Sequence, residues 1–302
     1  MTANRKSTLL ELTHVLNPVY ACERDRFRFV QDVTFTTLSN AREAARGRAT
    51  VRFLSVQYPE DREIVPDDFE LAPDLDRSVI DCSPLKICRK LPLLADIMQR
   101  AKDASRTEYI VFSNVDIAVK EDFYLAVAEI LSSGCDAMTV NRRTIGNQYD
   151  SVDEIPRMLK ETGSPHRGWD CFIFRKELIP RFKLGKVCVG APPVGLLLLA
   201  NLMAFADGFR EFRDEYLTFH LGNERKWSRW MDETARHNKR EALKQLRLLE
   251  SEHGAFSTAT PPGRFLAWHR NRFRAALYTA MKQIHVPARI TRRFRERMVQ
   301  AR

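Results

Sequence analysis

The 302-residue sequence lacks any run of about 18 consecutive apolar residues, the length that a membrane-spanning helix requires. Its longest apolar run, residues 194–200, is too short and continues into a mixed helical pattern. The N-terminal segment has two basic residues, but Glu11 interrupts its apolar run, so the core of a signal peptide is also missing. These absences predict a cytosolic protein that does not cross a membrane.

Paired cysteine motifs are absent as well. The six cysteines are scattered along the chain, and no two of them form a Cys-x-x-Cys pair. Three of the six lie inside apolar runs. This pattern favours buried, reduced thiols over a zinc site or a disulfide framework.

Acidic residues are nearly absent from residues 263–302, where ten arginines and Lys282 accompany only Glu296. The totals of 49 basic and 39 acidic residues therefore leave 38 of each sign in the first 262 residues. Several apolar residues of this tail fall on one side of a predicted helix. Such basic amphipathic segments bind anionic membrane surfaces or acidic partners. A helix that packs on the body is the alternative, and nucleic acid is disfavoured because no nucleic-acid-binding motif is present.

Apolar runs alternate with helical patterns along the first 222 residues. Strands are predicted at residues 10–16, 49–56, 76–80, 109–114, 135–140, 171–174 and 217–220, with helices between most of them. This βαβ rhythm predicts an α/β fold with a mostly parallel sheet. A charged helix is expected over about 227–252, followed by a linker. The expected division is a domain at 1–222, a charged helix and linker at 223–262, and a basic helical tail at 263–302.

The most informative segment is the apolar run Tyr109–Ser113, which ends at Asn114 and Asp116 and is followed by a helical pattern. Polar groups at the carboxyl end of such a strand lie where α/β sheets bind ligands. In an extended segment, residues two apart point the same way, so both side chains could reach one Mg²⁺ or Mn²⁺ and, through it, a diphosphate. An N-cap or an Asx turn would explain the same residues.

Residues 112–118 resemble the Asp-x-Asp signature of GT-A glycosyltransferases, with Asn114 in place of the first aspartate. The order of elements from about residue 10 to 222 is also similar to that family. The resemblance implies a Rossmann-like GT-A nucleotide-diphospho-sugar transferase fold with a C-terminal helical extension. It also implies Asp116 and Asn114 as metal ligands and a nucleotide-diphospho-sugar as donor.

His220 matches the late histidine of this family, which implies that it completes the protein ligands of the metal. A structural histidine is the alternative, and Asn223, Glu224 or Arg225 could bind phosphate or cap the next helix instead.

Trp169 and Asp170 occupy the place where the family's loop meets sugar and acceptor. Trp169 could stack on a sugar ring and Asp170 could act as general base, or both could be structural. The acidic pair that the family usually carries at the next helix is absent from residues 190–196. Either Asp170 is the base, or the enzyme is retaining, or the protein does not catalyse.

The nucleotide itself has candidate ligands in two regions. Lys86 and Arg89 precede a predicted helix and could hold phosphates, although a solvated helix face explains them equally well. Asn17 ends the first strand, where the family binds base and ribose, and His14 is nearby.

These features together predict a metal-dependent glycosyltransferase that moves a sugar to a hydroxyl on a glycan or lipid-linked acceptor. It would work in cell-surface glycan or glycolipid assembly, at the inner face of a membrane. A non-catalytic GT-A-like binding module remains an alternative. So does a sugar-nucleotide nucleotidyltransferase, although the segment after the first strand has no glycine-rich phosphate loop.

Overall fold

The structure is a computed structural model that describes residues 9–21, 25–87, 89–222 and 229–270, with side chains from residue 233 in the last range. The strands are β1 (Leu10–Leu16), β2 (Ala49–Ser55), β3 (Phe69–Leu71), β4 (Tyr109–Ser113), β5 (Ala118–Val119), β6 (Ala137–Val140), β7 (Arg143–Ile145), β8 (Ser164–Pro165), β9 (Cys171–Arg175), β10 (Phe209–Phe212) and β11 (Thr218–Leu221). The helices are α1 (Arg26–Ala44), α2 (Val79–Cys82), α3 (Leu94–Ala104), α4 (Phe123–Ser132), α5 (Ile155–Met158), α6 (Val194–Phe205), α7 (Arg229–His253) and α8 (Pro261–Arg270).

Seven strands form the main sheet, in the order β10-β6-β9-β4-β1-β2-β3. Strands β3, β2, β1 and β4 are parallel to one another, and β10 is parallel to β6. Only β9 runs the other way, between β4 and β6. The prediction of an α/β fold with a mostly parallel sheet is confirmed.

Helices cover both faces of this sheet, which is why its central strands consist largely of apolar residues. Along β4, Tyr109 and Val111 belong to a buried cluster with α1 and α4. Ile110 and Phe112 belong to a second cluster with α3 and α6. Because successive side chains of a strand point to opposite faces, a strand buried on both sides needs an apolar residue at every position.

A second, smaller sheet has the order β5-β11-β7-β8. Strand β11 is antiparallel to β5 and parallel to β7. This arrangement places the late strand of the chain beside β5, which directly follows the turn after β4. Residues around 116 and 220, far apart in sequence, therefore meet at one place.

The predicted strand at residues 76–80 is wrong. The third strand of the sheet is β3 (Phe69–Leu71), and residues 79–82 form a short helix instead. The cause is a capping box, in which the Asp81 carboxylate accepts hydrogen bonds from the Ser78 backbone N–H at 2.6 Å and the Ser78 hydroxyl at 2.8 Å. These bonds hold Ser78, the residue that precedes the helix, against Asp81 and so stabilise the first helical turn.

Helix α7 lies against the body of the protein. Its residues Ala242, Leu246 and Leu249 are fully buried in the same cluster as α6. The Asn238 side chain, also fully buried, accepts from the Cys188 N–H at 3.0 Å and donates to the carbonyls of Cys188 and Ala191 at 2.8 and 2.7 Å. The division of the chain at residues 222 and 262 remains a prediction. Within the described residues, no helix is both long and apolar enough to span a bilayer.

We expect Asn238→Ala to lower the free energy of unfolding by about 2–4 kcal/mol, because three buried backbone groups would lose their hydrogen-bond partner. Urea denaturation would measure the loss. Lys244→Ala, on the exposed side of the same helix, is the matched control and should change stability by about 0.5 kcal/mol or less. Equal effects of the two substitutions would contradict this account of how α7 is held.

Candidate functional site

The segment after β4 turns sharply. The Ile117 N–H donates to the Asn114 carbonyl at 3.1 Å, so residues 114–117 form a turn and not a continuing strand. The side chains of Asn114 and Asp116 accordingly have different partners, Asp170 and His220. The expectation that both point the same way from an extended segment does not describe this geometry, and the assignment of Asn114 as a metal ligand stays a prediction.

Asp116 and His220 form a close pair. The distance between His220 Nε2 and Asp116 Oδ2 is 3.2 Å, across a separation of 104 residues. The pairing of β11 with β5 creates this contact. His220 Nδ1 lies 2.9 Å from the carbonyl oxygen of Gly222, which fixes the orientation of the imidazole ring. A glycine fits there because its φ is 72° and an added Cβ would lie 2.9 Å from the Asn147 Cβ.

The electrostatics of Asp116 favour the charged carboxylate. Burial raises its pKa, but the hydrogen bond from His220 and the positive charges of His220 and Arg142 outweigh burial, so the net pKa lies below the ordinary value. Asp116 Oδ1 is buried and has no hydrogen-bond partner among the described residues. An unpaired buried oxygen on a carboxylate is costly, so a ligand at this oxygen would be stabilising.

These two residues fit a divalent cation. If His220 Nδ1 donates to the Gly222 carbonyl, a cation would take the place of the Nε2 proton that faces Asp116, and Nε2 would then ligate it as in typical metal-binding histidines. Asp116 offers carboxylate oxygens beside it. No group of three or more His, Cys, Asp and Glu side chains suited to a metal occurs in the part of the chain that is described. A cation here would therefore take its remaining ligands from substrate and water.

Asp170 lies directly beside Asn114. Ser113 pairs with Cys171 in the antiparallel β4–β9 ladder, and this pairing puts the connection that follows β4 beside the connection that precedes β9. The Asn114 N–H donates to the Asp170 carbonyl, and Asn114 Nδ2 donates to Asp170 Oδ1, both at 3.1 Å. The predicted base is thus held next to the predicted metal motif, and its catalytic role stays a prediction.

Two nitrogen-bearing side chains that the sequence did not single out, those of Arg142 and His166, complete this group. Arg142 Nη1 lies 3.2 Å and His166 Nδ1 lies 3.4 Å from Asp170 Oδ2. Arg142 and Asp170 are largely shielded from solvent, with side chains 14% and 13% exposed. Arg142 follows β6 in the connection to β7. The only local signal was the Arg142-Arg143 pair at the end of a short apolar run, and such pairs are common on surfaces.

Trp169 is fixed by a hydrogen bond from its indole N–H and by packing of its ring. Its Nε1 donates to Glu211 Oε1 at 2.7 Å, and its ring packs at the edge of the main buried cluster. Its backbone carbonyl touches the first turn of α6, where a Cβ on Gly195 would lie 2.2 Å from the carbonyl oxygen. The side chain is partly buried, so stacking on a sugar remains a prediction for the exposed part of the ring.

The predicted nucleotide ligands Asn17, Lys86 and Arg89 lie in two settings. Asn17 is buried, and its side-chain amide donates to the Val56 carbonyl at 2.6 Å, which joins the ends of β1 and β2. Lys86 and Arg89 are exposed, and the Lys86 N–H donates to Glu233 on α7 at 3.3 Å. Among described residues, no hydrogen bond or ion pair links these three to Asp116 or His220, and their roles stay predictions. The alternatives at Asn223, Glu224 and Arg225 lie outside the described residues.

Comparison with known proteins identifies the architecture. No protein-family model and no curated protein matches the sequence. The crystal structure of S. aureus TarS 1-349 in complex with UDP-GlcNAc matches 93% of this chain and 77% of that chain, with a TM-score of 0.54 and 12% identity. The complex of the same segment with UDP matches 93% and 76%, with a TM-score of 0.50 and 11% identity.

The chain has a GT-A fold. At such low identity the likeness shows the fold alone, and the function has to be argued from the site. The expected architecture, including the position of the Asn-x-Asp segment after β4, is confirmed.

Within this GT-A fold, a buried polar network lies beneath the Asn-x-Asp turn. His14 on β1 contacts the Tyr124 hydroxyl at 2.7 Å through Nδ1 and the Ser113 hydroxyl at 2.9 Å through Nε2. His14 is fully buried, and burial lowers its pKa to about 3. The ring is therefore neutral at pH 7. It connects β1, β4 and α4 directly below the residues that carry the candidate chemistry.

The buried neutral His14 predicts acid sensitivity. Between pH 6.5 and about 3 the unfolded chain binds a proton at this position and the folded protein does not, so stability falls as pH falls through this window. We expect the free energy of unfolding of the wild type to fall by about 1.4 kcal/mol per pH unit more than that of His14→Gln between pH 6 and 4. Urea denaturation across this range would show the difference.

Two further variants make that experiment decisive. His253→Gln removes a histidine whose side chain is 31% exposed and should keep the wild-type slope. Tyr124→Phe removes one hydrogen-bond partner of His14 but retains the imidazole ring, so its unfolding free energy should keep the wild-type dependence on pH. This variant can be measured if His14→Gln folds poorly. Parallel pH profiles for the wild type and His14→Gln would show that His14 is not the source.

Proposed function

We propose that this protein is a glycosyltransferase that moves a sugar from a nucleotide-diphosphate donor to a hydroxyl acceptor with the help of Mn²⁺ or Mg²⁺. The observation that carries the proposal is the Asp116–His220 pair at the carboxyl end of β4, in which one buried carboxylate oxygen has no hydrogen-bond partner among the described residues. The GT-A fold and its similarity to TarS solved with UDP-GlcNAc support the choice of donor. A glycan or lipid-linked acceptor in cell-surface glycan assembly is the finer part of the proposal.

The proposed reaction has a nucleotide diphosphate as leaving group and an acceptor hydroxyl as attacking group. In the transfer, the bond between the sugar's anomeric carbon and the diphosphate oxygen breaks, and an acceptor oxygen forms a new bond to that carbon. When bound, a divalent cation would neutralise charge on the leaving diphosphate. Asp116 and His220 would hold the cation, and Arg142 lies near enough to add positive charge. No protein nucleophile is needed.

Asp170 is proposed to receive the proton of the acceptor hydroxyl in an inverting transfer. Its Oδ1 accepts from Asn114, whereas its Oδ2 has no hydrogen bond with suitable geometry among the described residues. Oδ2 is therefore the atom for this role, with Arg142 and His166 nearby to orient the carboxylate. A retaining transfer would not use Asp170 in this way.

Asp116→Ala should abolish the Mn²⁺-dependent part of nucleotide diphosphate binding. At about 100 times the dissociation constant, a bound ligand adds about 2.7 kcal/mol of stability, which raises the Tm of the wild type by several degrees. A thermal-shift panel of UDP, GDP, ADP and CDP, each with and without Mn²⁺, would measure this effect. It would also identify the base.

Asp67→Ala, a substitution of an exposed aspartate in the connection before β3, is the matched control and should behave as the wild type. If Asp116→Ala retains the full Mn²⁺-dependent shift, the catalytic proposal is wrong. If no diphosphate shifts the wild type, the non-catalytic binding module is favoured. Incorporation of a nucleotide into product, with release of pyrophosphate, would instead support the nucleotidyltransferase.

Asn114→Asp should strengthen the response to Mn²⁺ while destabilising the metal-free protein. The new carboxylate would face Asp170 Oδ1, which now accepts a hydrogen bond from Asn114, so repulsion would cost about 1–3 kcal/mol. A cation would relieve that repulsion. We therefore expect a lower Tm without metal and a larger Mn²⁺-induced rise than in the wild type.

Asn114→Ala separates the two effects, since it removes the same hydrogen bond without adding charge. It should lower the metal-free Tm without enlarging the Mn²⁺ response. An equal Mn²⁺ response in Asn114→Asp and Asn114→Ala would place the cation away from residue 114.

A further inference from the structure

Helix α7 has a fixed orientation on the protein, so its outer face is defined. The inner face carries Asn238, Ala242, Leu246 and Leu249, all fully buried. The three hydrogen bonds of Asn238 to the segment before α6 prevent rotation of the helix about its axis. The residues half a turn away from these positions must face outward.

The outer face carries a line of basic side chains. Arg240, Lys244 and Arg247 are exposed and follow the i, i+4, i+7 spacing of a single helical stripe. Arg236, one turn earlier, is exposed on the same side. Within the described residues, no hydrogen bond or ion pair is found for Arg240, Lys244 or Arg247. We call these three residues the basic ridge.

The acidic residues of α7 do not neutralise the basic ridge, because each of those whose side chain is described has a partner elsewhere. Glu233 and Glu241 accept from the backbone N–H groups of Lys86 and Lys186, and Glu250 and Glu252 pair with Arg270 and Lys183. Positive charge on α7 is thus directed to solvent, and negative charge is engaged by the body of the protein. A count of charges does not reveal this separation of positive and negative groups on α7, because the first 262 residues contain equal numbers of basic and acidic residues.

The chain continues from α7 into its most basic segment. Helix α8 packs on α6 and α7 with Leu266 and Trp268 buried, and residues 271–302 follow it. Those residues contain eight arginines and Lys282 against Glu296. Residues 271–302 therefore add further positive charge to the part of the sequence that follows the basic ridge.

We propose that the basic ridge docks the protein on an anionic lipid bilayer. A straight row of cations that have no partner in the described part of the chain complements a flat, negatively charged surface, and each cation adds to binding within the Debye length of the lipid headgroups. Leu248, with 41% of its surface exposed, lies beside the ridge and can enter the headgroup region. The ridge itself contains no aromatic residue on which a nucleic acid base could stack, which favours lipid over single-stranded nucleic acid.

The test is flotation of the full-length protein with phosphatidylcholine vesicles that contain 30% phosphatidylglycerol, compared with pure phosphatidylcholine, at about 50 mM salt. The ridge variant Arg240→Gln, Lys244→Gln, Arg247→Gln removes three charges. At about fivefold for each charge near the surface, it should bind the anionic vesicles roughly 100-fold more weakly than the wild type.

The matched control removes the same number of charges elsewhere, with Arg46→Gln, Arg48→Gln, Arg106→Gln in the connections before β2 and β4. These residues are also exposed, and the control should float as the wild type does. Both variants should retain the wild-type Tm and circular dichroism spectrum, so that weak flotation cannot be ascribed to unfolding. The readout does not depend on whether the protein binds a nucleotide diphosphate.

Three outcomes would overturn the proposal. The first is equal flotation of the wild type and the ridge variant, which would assign any lipid binding to other parts of the chain. The second is an equal loss in the ridge variant and the control, which would show that only total charge matters. The third is no vesicle binding by the wild type together with ridge-dependent binding to a labelled oligouridylate, which would identify the partner as nucleic acid.

Discussion

The contact between Asp116 and His220 unites the two sheets of this protein and defines its candidate site. Asp116 belongs to the turn that ends β4 of the main sheet, and His220 belongs to β11 of the small sheet. Their 3.2 Å separation requires β5 to leave that turn and pair at once with β11. The position of the candidate cation site is therefore a consequence of sheet pairing, and neither residue could form it from its own segment.

The rest of the site is arranged around this pair by a single antiparallel strand. Because β9 enters the sheet against the direction of β4, its first residues lie beside the end of β4, and Asp170 meets Asn114 there. A parallel strand in the same place would have brought its carboxyl end to this point. Beneath the turn, His14, Ser113 and Tyr124 satisfy one another's polar groups in a buried position, which keeps the turn and the strands in a fixed relation.

The sequence predicted five of the seven strands of the main sheet, because these strands are buried on both faces and so appear as continuous apolar runs. The two edge strands, β3 and β10, were missed. Of the small sheet, only β11 was predicted, as the strand at residues 217–220. Strands β5, β7 and β8 have only two or three residues each, and no periodicity can be read from them. The strand expected at 76–80 shows how a local interaction overrides composition, because the Ser78–Asp81 capping box forms a helical turn there. Arg142 was missed for a different reason. Arg142 matters because it is shielded from solvent beside Asp170. The sequence pattern around an arginine does not show whether its side chain is buried.

Arg142 also helps to explain why position 114 can be an asparagine and not an aspartate. A second aspartate there would have faced Asp170 at hydrogen-bond distance, and two carboxylates so close require a cation to coexist. With Asn114, the Asp170 carboxylate instead receives one neutral donor and has Arg142 as its counter-ion. Among the described residues, Asp170 Oδ2 and Asp116 Oδ1 are both buried without a hydrogen bond, but the charge of Asp170 is compensated by Arg142 at 3.2 Å. The loss of charge at residue 114 therefore separates two functions: Asp170 is held in place without metal, and any demand for a cation falls on Asp116 and His220.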